Sequence, residues 1–291
     1  MGRFFQILAI FLLPVILVGG LYAFGLSIPV PHLGRDYVIS LVLPEAGQPV
    51  DLPTIYGPPD RSRPLVVIDA GHGGKDPGTV AGNRYEKDVV LELALAVRDR
   101  LVEEGGIRVA LTREDDTFLV LQERPEIARR LDADLFISLH ADSAGDSDRA
   151  YGASIYTLSS EASSEAAARF ANRENNADIL NGVVVRNQSD PVNDILVELS
   201  QRRVQDTSRE FGRLIEREGQ GRHRFHSQTQ RSAALAVLRA PDVPAVLFEV
   251  GFLTNPDDAA RLSSEEGQAE FSQFVARAIR VFFARQSTDE N

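Results

Sequence analysis

Cysteine is missing from all 291 residues. That absence excludes a thiol nucleophile, a cysteine-based zinc site and disulfide bonds together. Positive charge is scarce too: 31 lysines and arginines face 42 acids, for a formal net charge of −11. No stretch is basic enough to neutralise a phosphate backbone, so nucleic acid is excluded as a general partner. No internal repeat is visible. What the chain does not lack is apolar material, since 43% hydrophobic residues are ample for one large domain or two small ones.

The longest apolar run comes first. Arg3 precedes Phe4 to Phe24, a stretch without a charge, and at 1.5 Å per residue about twenty such residues span a bilayer. Gly19-Gly20-Leu21-Tyr22-Ala23 makes a poor cleavage site, which favours an uncleaved signal anchor over 1–25 against a removed signal peptide. Either way the remainder is expected to be exported. Residues 26–63 are proline-rich without a sustained period and read as a tether. Asp36 to Leu43 hints at an edge strand within it, and the folded domain is expected to start near Pro64.

Leu65 to Ile68 is a short β-branched run suited to a strand buried on both faces. It leads into Gly71-His72-Gly73-Gly74-Lys75-Asp76-Pro77-Gly78, which lacks both the spacing and the Lys-Ser/Thr pair of a phosphate loop. The glycines tolerate positive φ and leave room for an approach to the backbone, so His72 is presented at the strand's C-terminal end. A helix from Glu86 to about Glu104 follows, with Val90, Leu93, Val97 and Leu101 as its buried stripe. Glu86 lies on that stripe. A carboxylate there is costly unless paired or bound to a metal, although an acid in a first helical turn is also favoured by the helix dipole.

Gly105-Gly106 stops this helix, and Ile107 to Thr112 reads as a strand. A helix over about 121–131 and a strand from Leu135 to Leu139 come next, so that His140 stands at a second strand end. Gly152 to Leu158 is another strand. Near the C-terminus, Pro244 to Leu253 is strongly apolar with one charge, Glu249, which must be paired, protonated or catalytic. A helix over about 264–284 closes the domain. Alternating strands and helices predict a single α/β domain, residues 64–286, with a mixed, mostly parallel central sheet covered by helices on both faces; 287–291 remain as a tail.

His72, His140 and Glu249 all fall at the sheet edge where open α/β folds bind ligands. Two histidines and a carboxylate are a common protein set for catalytic zinc. Glu249, its pKa raised by apolar surroundings, can take a proton from the water that such a metal activates and deliver it to a leaving group. Its alternative is a buried salt bridge.

The stretch Val66 to Gly78, Glu86, Ile137-Ser138-Leu139-His140-Ala141-Asp142, and Leu247-Phe248-Glu249-Val250-Gly251-Phe252-Leu253-Thr254-Asn255 resemble, in the same order, the zinc-dependent N-acetylmuramoyl-L-alanine amidases of bacterial cell-wall turnover. The resemblance covers roughly residues 64–286. It implies one zinc ion held by His72, Glu86 and His140, Glu249 as the catalytic residue, and peptidoglycan as substrate; the segment over 1–25 gives the expected location, periplasmic and anchored to the inner membrane, or exported after signal cleavage. Asp142 departs from the family, which more often has Asn after His-Ala.

Between Leu158 and the next expected strand, Leu235 to Leu238, there is more chain than a crossover needs. Glu161 to Asn175 and Val204 to Glu218 read as helices. Asp190-Pro191 reads as the start of a third between them, with Val192, Ile195, Leu196 and Leu199 as its stripe. The piece over about 176–201 resembles the regulatory insertion of the family's division-associated branch. That likeness implies autoinhibition by an acid at the zinc's open position, Glu174 or Asp178, relieved by a LytM-type periplasmic activator. The alternative is an ordinary decorated crossover. His223 and His226, in an Arg-rich segment, read as an exposed polar loop or as a contact to peptidoglycan carboxylates. A zinc peptidase or deacetylase would share the ligands, and a non-catalytic wall-binding protein would have no need of Glu249.

Overall fold

The computed structural model describes residues 52–143, 150–177 and 194–289. The membrane segment expected over 1–25, the strand hint at Asp36 to Leu43, Asp178 and the Asp190-Pro191 helix start lie outside them. Among the described residues no helix is long and apolar enough to cross a membrane.

In chain order the elements are β1 (Ile55–Tyr56), β2 (Leu65–Ala70), β3 (Val80–Ala81), β4 (Arg84–Tyr85), α1 (Glu86–Glu104), β5 (Arg108–Leu111), α2 (Glu123–Arg130), β6 (Leu135–Asp142), β7 (Ala153–Leu158), α3 (Glu165–Asn175), α4 (Asp194–Gly219), β8 (Phe225–Ala233), β9 (Ala245–Phe252), α5 (Pro256–Leu262) and α6 (Glu265–Asp289). A 3₁₀ turn at Ala236–Leu238 lies between β8 and β9. Seven strands form a sheet in the order β1-β5-β2-β6-β9-β7-β8. The pairs β2·β5, β2·β6, β6·β9 and β7·β8 are parallel, while β1·β5 and β7·β9 are antiparallel. The sheet is therefore mixed and mostly parallel, as the pattern of elements implied.

Strand periodicity divides the core in two. Val66, Ile68, Ile137, Leu139, Val246 and Phe248 face one side, where α1, α4 and α6 contribute Leu93, Val97, Phe211, Ile215, Phe271 and Phe274. Leu65, Val67, Phe136 and Leu247 face the other, against Ile127 of α2 and Ala167, Phe170 and Ala171 of α3. Both faces are thus covered by helices. Being buried on both sides, the central strands need no polar alternation, which is why they read as continuous apolar runs. The helix ends follow local chemistry as well. Gly105 (φ 67) returns its N–H to Leu101, the Ser164 side chain caps α3, and Asn255 caps α5 with Pro256 in the first turn.

Four expectations are corrected. The strand expected at Leu235 to Leu238 is a 3₁₀ turn that buries Val237 and Leu238, and the strand is β8, immediately before it. A four-residue apolar run cannot be told from a buried helical turn by periodicity, and β8 is an edge strand with few buried residues. The separate helices expected around residue 192 and over 204–218 are one continuous helix from Asp194 onward. The sheet begins before Pro64, because Ile55 and Tyr56 pair with Ala110 and Val109; the stretch read as a tether does supply an edge strand, close to the domain. Finally, α6 runs on to Asp289 through the expected tail.

Candidate active site

Parallel strands end at a common edge, and register then decides which side chains meet there. Ala70 pairs with Leu139, and His140 pairs with Glu249. His72, two residues beyond β2, His140 and Glu249 are accordingly brought together. Glu86, the first residue of α1, turns into the same place.

His72 is buried and adopts φ 59, a left-handed conformation that a non-glycine residue holds only when its surroundings enforce it. Several groups do so. Its Nδ1–H donates to Asp76 Oδ2 at 2.8 Å, which orients the ring and turns Nε2 toward Glu86 Oε1. Its carbonyl accepts from Arg124 Nη2 at 2.7 Å. Arg113 donates to the carbonyls of Ala70 and Gly71. Gly78 (φ 64) is a requirement of this packing, since a Cβ there would lie 2.6 Å from both Glu86 Oε2 and His72 Cδ2.

Glu86 is held from two sides, Oε2 accepting from the Thr79 N–H and Oε1 from the Ala141 N–H, each at 2.8 Å. Oε1 is also 3.2 Å from His72 Nε2 and 3.2 Å from His140 Nδ1. Burial opposes ionisation of this carboxyl, yet the flanking imidazoles hold it well below the ordinary carboxylate range. The dipole of α1 does not account for such a placement, in which both carboxylate oxygens are turned inward.

Among the described residues, His72 Nε2, His140 Nδ1 and both Glu249 oxygens are buried and find no hydrogen-bond partner. Orphaned buried atoms are expensive, and a cation between the nitrogens and Glu86 would satisfy the two nitrogens. Spacing tests the fit. Two donors each about 2.0–2.1 Å from a tetrahedral zinc lie about 3.3 Å apart, and the carboxylate oxygen is 3.2 Å from each nitrogen. His72, Glu86 and His140 fit a zinc ion.

Glu174 also comes here, from the last turn of α3. Its Oε2 lies 3.5 Å from His140 Nδ1 and 3.8 Å from His72 Nε2. Ligand atoms of His72, His140 and Glu174 fall within 4.8 Å of one another. Arg173 bridges Glu174 Oε1 (3.1 Å) and Asp142 Oδ1 (2.8 Å). The residue at which the sequence departs from the family is thus an ion-pair partner of the helix that carries Glu174. Burial pushes the Glu249 carboxyl well above the ordinary range, and the charges of Asp142, Glu86 and Glu174 add to this.

Three supporting residues were passed over in the sequence. Asp69, fully buried, accepts from Thr112 Oγ1 (2.6 Å), Ser138 Oγ (2.6 Å) and Arg124 Nη1 (2.8 Å), and together with Arg113 and Arg124 it underlies the His72 loop. Asp69 had a visible signal, a charge inside an apolar run. His223 is corrected: it is buried rather than exposed, and its Nε2–H donates to the Val250 carbonyl at 2.7 Å. His226 is half-buried and contacts Arg231. Among the described residues a groove of about 940 Å³ lies at the opposite edge, around the strand starts at Pro64, Arg108, Asp134 and Pro244, and is lined by none of His72, Glu86, His140 or Glu249.

A family model described as N-acetylmuramoyl-L-alanine amidase matches residues 66–281. The chain is 39% identical over 224 residues to the N-acetylmuramoyl-L-alanine amidase AmiA of Salmonella typhimurium, covering 76% of this chain and 77% of that protein. It is 33% identical over 234 residues to AmiC of Escherichia coli, covering 80% of this chain; it spans only 56% of that longer relative. Among solved structures, the catalytic domain of CwlV, the N-acetylmuramoyl-L-alanine amidase from Bacillus (Paenibacillus) polymyxa var. colistinus, superposes with TM-score 0.54 at 28% identity, over 76% of this chain and 98% of that one. With the fold, the histidine pair and the match across residues 66–281 in agreement, the chain belongs to the N-acetylmuramoyl-L-alanine amidase family.

Proposed function

We propose that this protein is a zinc-dependent peptidoglycan hydrolase that cleaves the amide between the lactyl group of N-acetylmuramic acid and the first L-alanine of the stem peptide. The carrying observation is the meeting of Glu86 Oε1, at 3.2 Å, with two buried imidazole nitrogens that find no hydrogen-bond partner among the described residues. A zinc ion held by His72, Glu86 and His140 would supply the Lewis acidity that makes water nucleophilic near neutral pH. Asp76 keeps the His72 ring in place. Glu249, opposite His140 in the sheet and with a raised pKa, takes a proton from the attacking water and delivers it to the departing alanine nitrogen. Burial, with the neighbouring charges of Asp142, Glu86 and Glu174, raises its affinity for protons, the direction such shuttling requires.

Glu174 supports autoinhibition as the regulatory part of this reading. It faces the same two nitrogens from a longer distance than Glu86, and its tether is the half-exposed Arg173 rather than buried backbone amides. It is the displaceable carboxylate, covering the position that substrate and water need. Because Glu174 lies on α3, ahead of 176–201, the point variant Glu174→Ala is the direct test of that residue; Asp178→Ala tests the other acid proposed for the same position. A LytM-type activator in the periplasm would draw the end of α3 away, biasing a two-state element by binding. Residues 1–25 would hold the enzyme at the inner membrane for wall turnover and daughter-cell separation.

Mass spectrometry of muropeptides after digestion tests the reaction. Cleavage by this route frees stem peptides with an L-alanine amine and leaves the glycan acetylated and intact. Cuts inside the stem peptide, or deacetylated sugars, would move the assignment to a peptidase or deacetylase on the same ligands. If Glu174→Ala, folded and zinc-loaded, hydrolyses purified peptidoglycan no faster than the parent, autoinhibition by Glu174 is refuted while the amidase reading stands.

A further inference from the structure

Glu249 works only if its carboxylate is aimed, yet the sheet loosens immediately after it. Glu249 is the last β9 residue paired with β7, opposite Ser154. On the other side, His140 pairs with Glu249 but Asp142 pairs with Phe252. Two steps along β6 therefore meet three along β9, a bulge that takes Val250 and Gly251 off both ladders among the described residues. Gly251 has φ 152. Bulges re-aim side chains, and they need fastening because the ladder no longer does it.

Two buried side chains do the fastening. His223 Nε2–H donates to the Val250 carbonyl at 2.7 Å, from a ring packed among Phe225, Phe248, Phe271 and Phe274 at centroid distances of 5.2–6.2 Å. Asp258 Oδ2, fully buried, accepts from the N–H groups of Phe252 (3.1 Å) and Gly152 (2.7 Å), joining the far side of the bulge to the start of β7. An aromatic cage with one hydrogen bond leaves the imidazole a single orientation. Burial first, and the Arg261 charge second, push its pKa down to about 4, which keeps it a neutral donor at working pH.

We infer that His223 is a positioning residue for the hydrolysis, its Nε2–H clamping the Val250 carbonyl so that the bulge holds the Glu249 carboxylate on the scissile bond. The inference rests on the reading of Glu249 as the acid–base group. Removing the donor leaves a buried carbonyl unpaired, and the bulge relaxes to satisfy it elsewhere, carrying Glu249 with it. A misplacement of about 1 Å at a reacting group costs on the order of 10²-fold in rate.

The test compares His223→Phe, His223→Gln and Glu249→Gln in the full-length, zinc-loaded chain, reading kcat, KM, the acid limb of the kcat profile and zinc content. Phenylalanine keeps the aromatic packing without the donor; the glutamine amide restores a donor near the Nε2 position. If His223→Phe does not fold, His223→Leu takes its place. The expected result is a loss in kcat on the order of 10²-fold for His223→Phe at unchanged KM and zinc content, with its acid limb displaced and most of the rate recovered in His223→Gln. Parent-like kcat in His223→Phe overturns the inference. So does an equal loss in the Phe and Gln variants that follows the folded fraction, which marks His223 as packing alone. Parent-like turnover in Glu249→Gln instead removes the role of Glu249, and the two failures are thereby told apart.

Discussion

Arg124→Met probes the polar layer under the histidines. Arg124 is 4% exposed, and its guanidinium donates to Asp69 Oδ1 (2.8 Å) and to the carbonyls of Ala70 (2.9 Å), His72 (2.7 Å) and Leu119 (3.1 Å). Methionine replaces the stem but none of these donors. Breaking a buried ion pair by removing one partner costs about 3–5 kcal/mol. The hydroxyls of Thr112 and Ser138 still serve Asp69, so the lower end, about 3 kcal/mol, applies, out of a total stability of about 5–15 kcal/mol. The left-handed His72 backbone, itself costing about 1–3 kcal/mol, loses one of its restraints, so zinc affinity falls as well. The cost depends on pH with a definite sign. In the parent, burial opposes ionisation of Asp69 but Arg124 prevails and holds its pKa below the ordinary value. In the variant burial is opposed only by what remains, chiefly the Ser138 and Thr112 hydroxyls, so Asp69 takes up a proton more readily and the penalty shrinks as pH falls from neutrality. Urea unfolding at pH 7 and at acid pH, with a zinc titration beside it, reads all three effects. A loss below about 1 kcal/mol with unaltered zinc affinity would refute the reasoning.

Other outcomes follow from the same geometry. Gly78→Ala forces a Cβ within 2.6 Å of Glu86 Oε2 and His72 Cδ2 at a backbone φ that alanine resists, so zinc affinity should drop while the far side of the sheet keeps its hydrogen-exchange protection; unchanged affinity would show that the loop has slack. His223, with a folded pKa of about 4 against an ordinary value of about 6.5, is neutral in both states above about pH 6.5. Below that the unfolded chain takes a proton that the folded one refuses, so the parent should lose up to about 3 kcal/mol between roughly pH 6.5 and 4. Denaturation of His223→Gln should lack that component, and an identical pH dependence would contradict it.

How far the sequence could be read depended on burial. Strands β2, β6 and β9 were legible because both their faces are covered and the runs are apolar throughout. Within such runs a polar residue is costly, so Glu249 stood out at once, as did the histidines where β2 and β6 end. The edge strand β8 was not legible. Ser227, Gln228 and Gln230 are exposed on it, and the apolar residues that resembled a strand belong to the turn that follows. Asp69 obeyed the same rule as Glu249 and could have been found by it. Arg113 and Arg124 could not, since half of their acceptors are carbonyls more than forty residues away in the chain. His223 misled because its neighbours Arg222 and Arg224 are exposed while its own ring turns inward among phenylalanines. Glu174 was visible as an acid near the end of a helix, but only the packing of α3 over the sheet edge brings it to the histidines.

The most direct test of the central claim separates metal binding from chemistry in one experiment, by measuring zinc per chain and turnover of purified peptidoglycan in Glu249→Gln and His72→Ala. The account predicts that Glu249→Gln keeps one zinc and loses about 10²–10⁴ in rate, the usual contribution of a general acid–base group, and that His72→Ala loses both. Full zinc occupancy in His72→Ala, or near-parental hydrolysis by zinc-loaded Glu249→Gln, would contradict it.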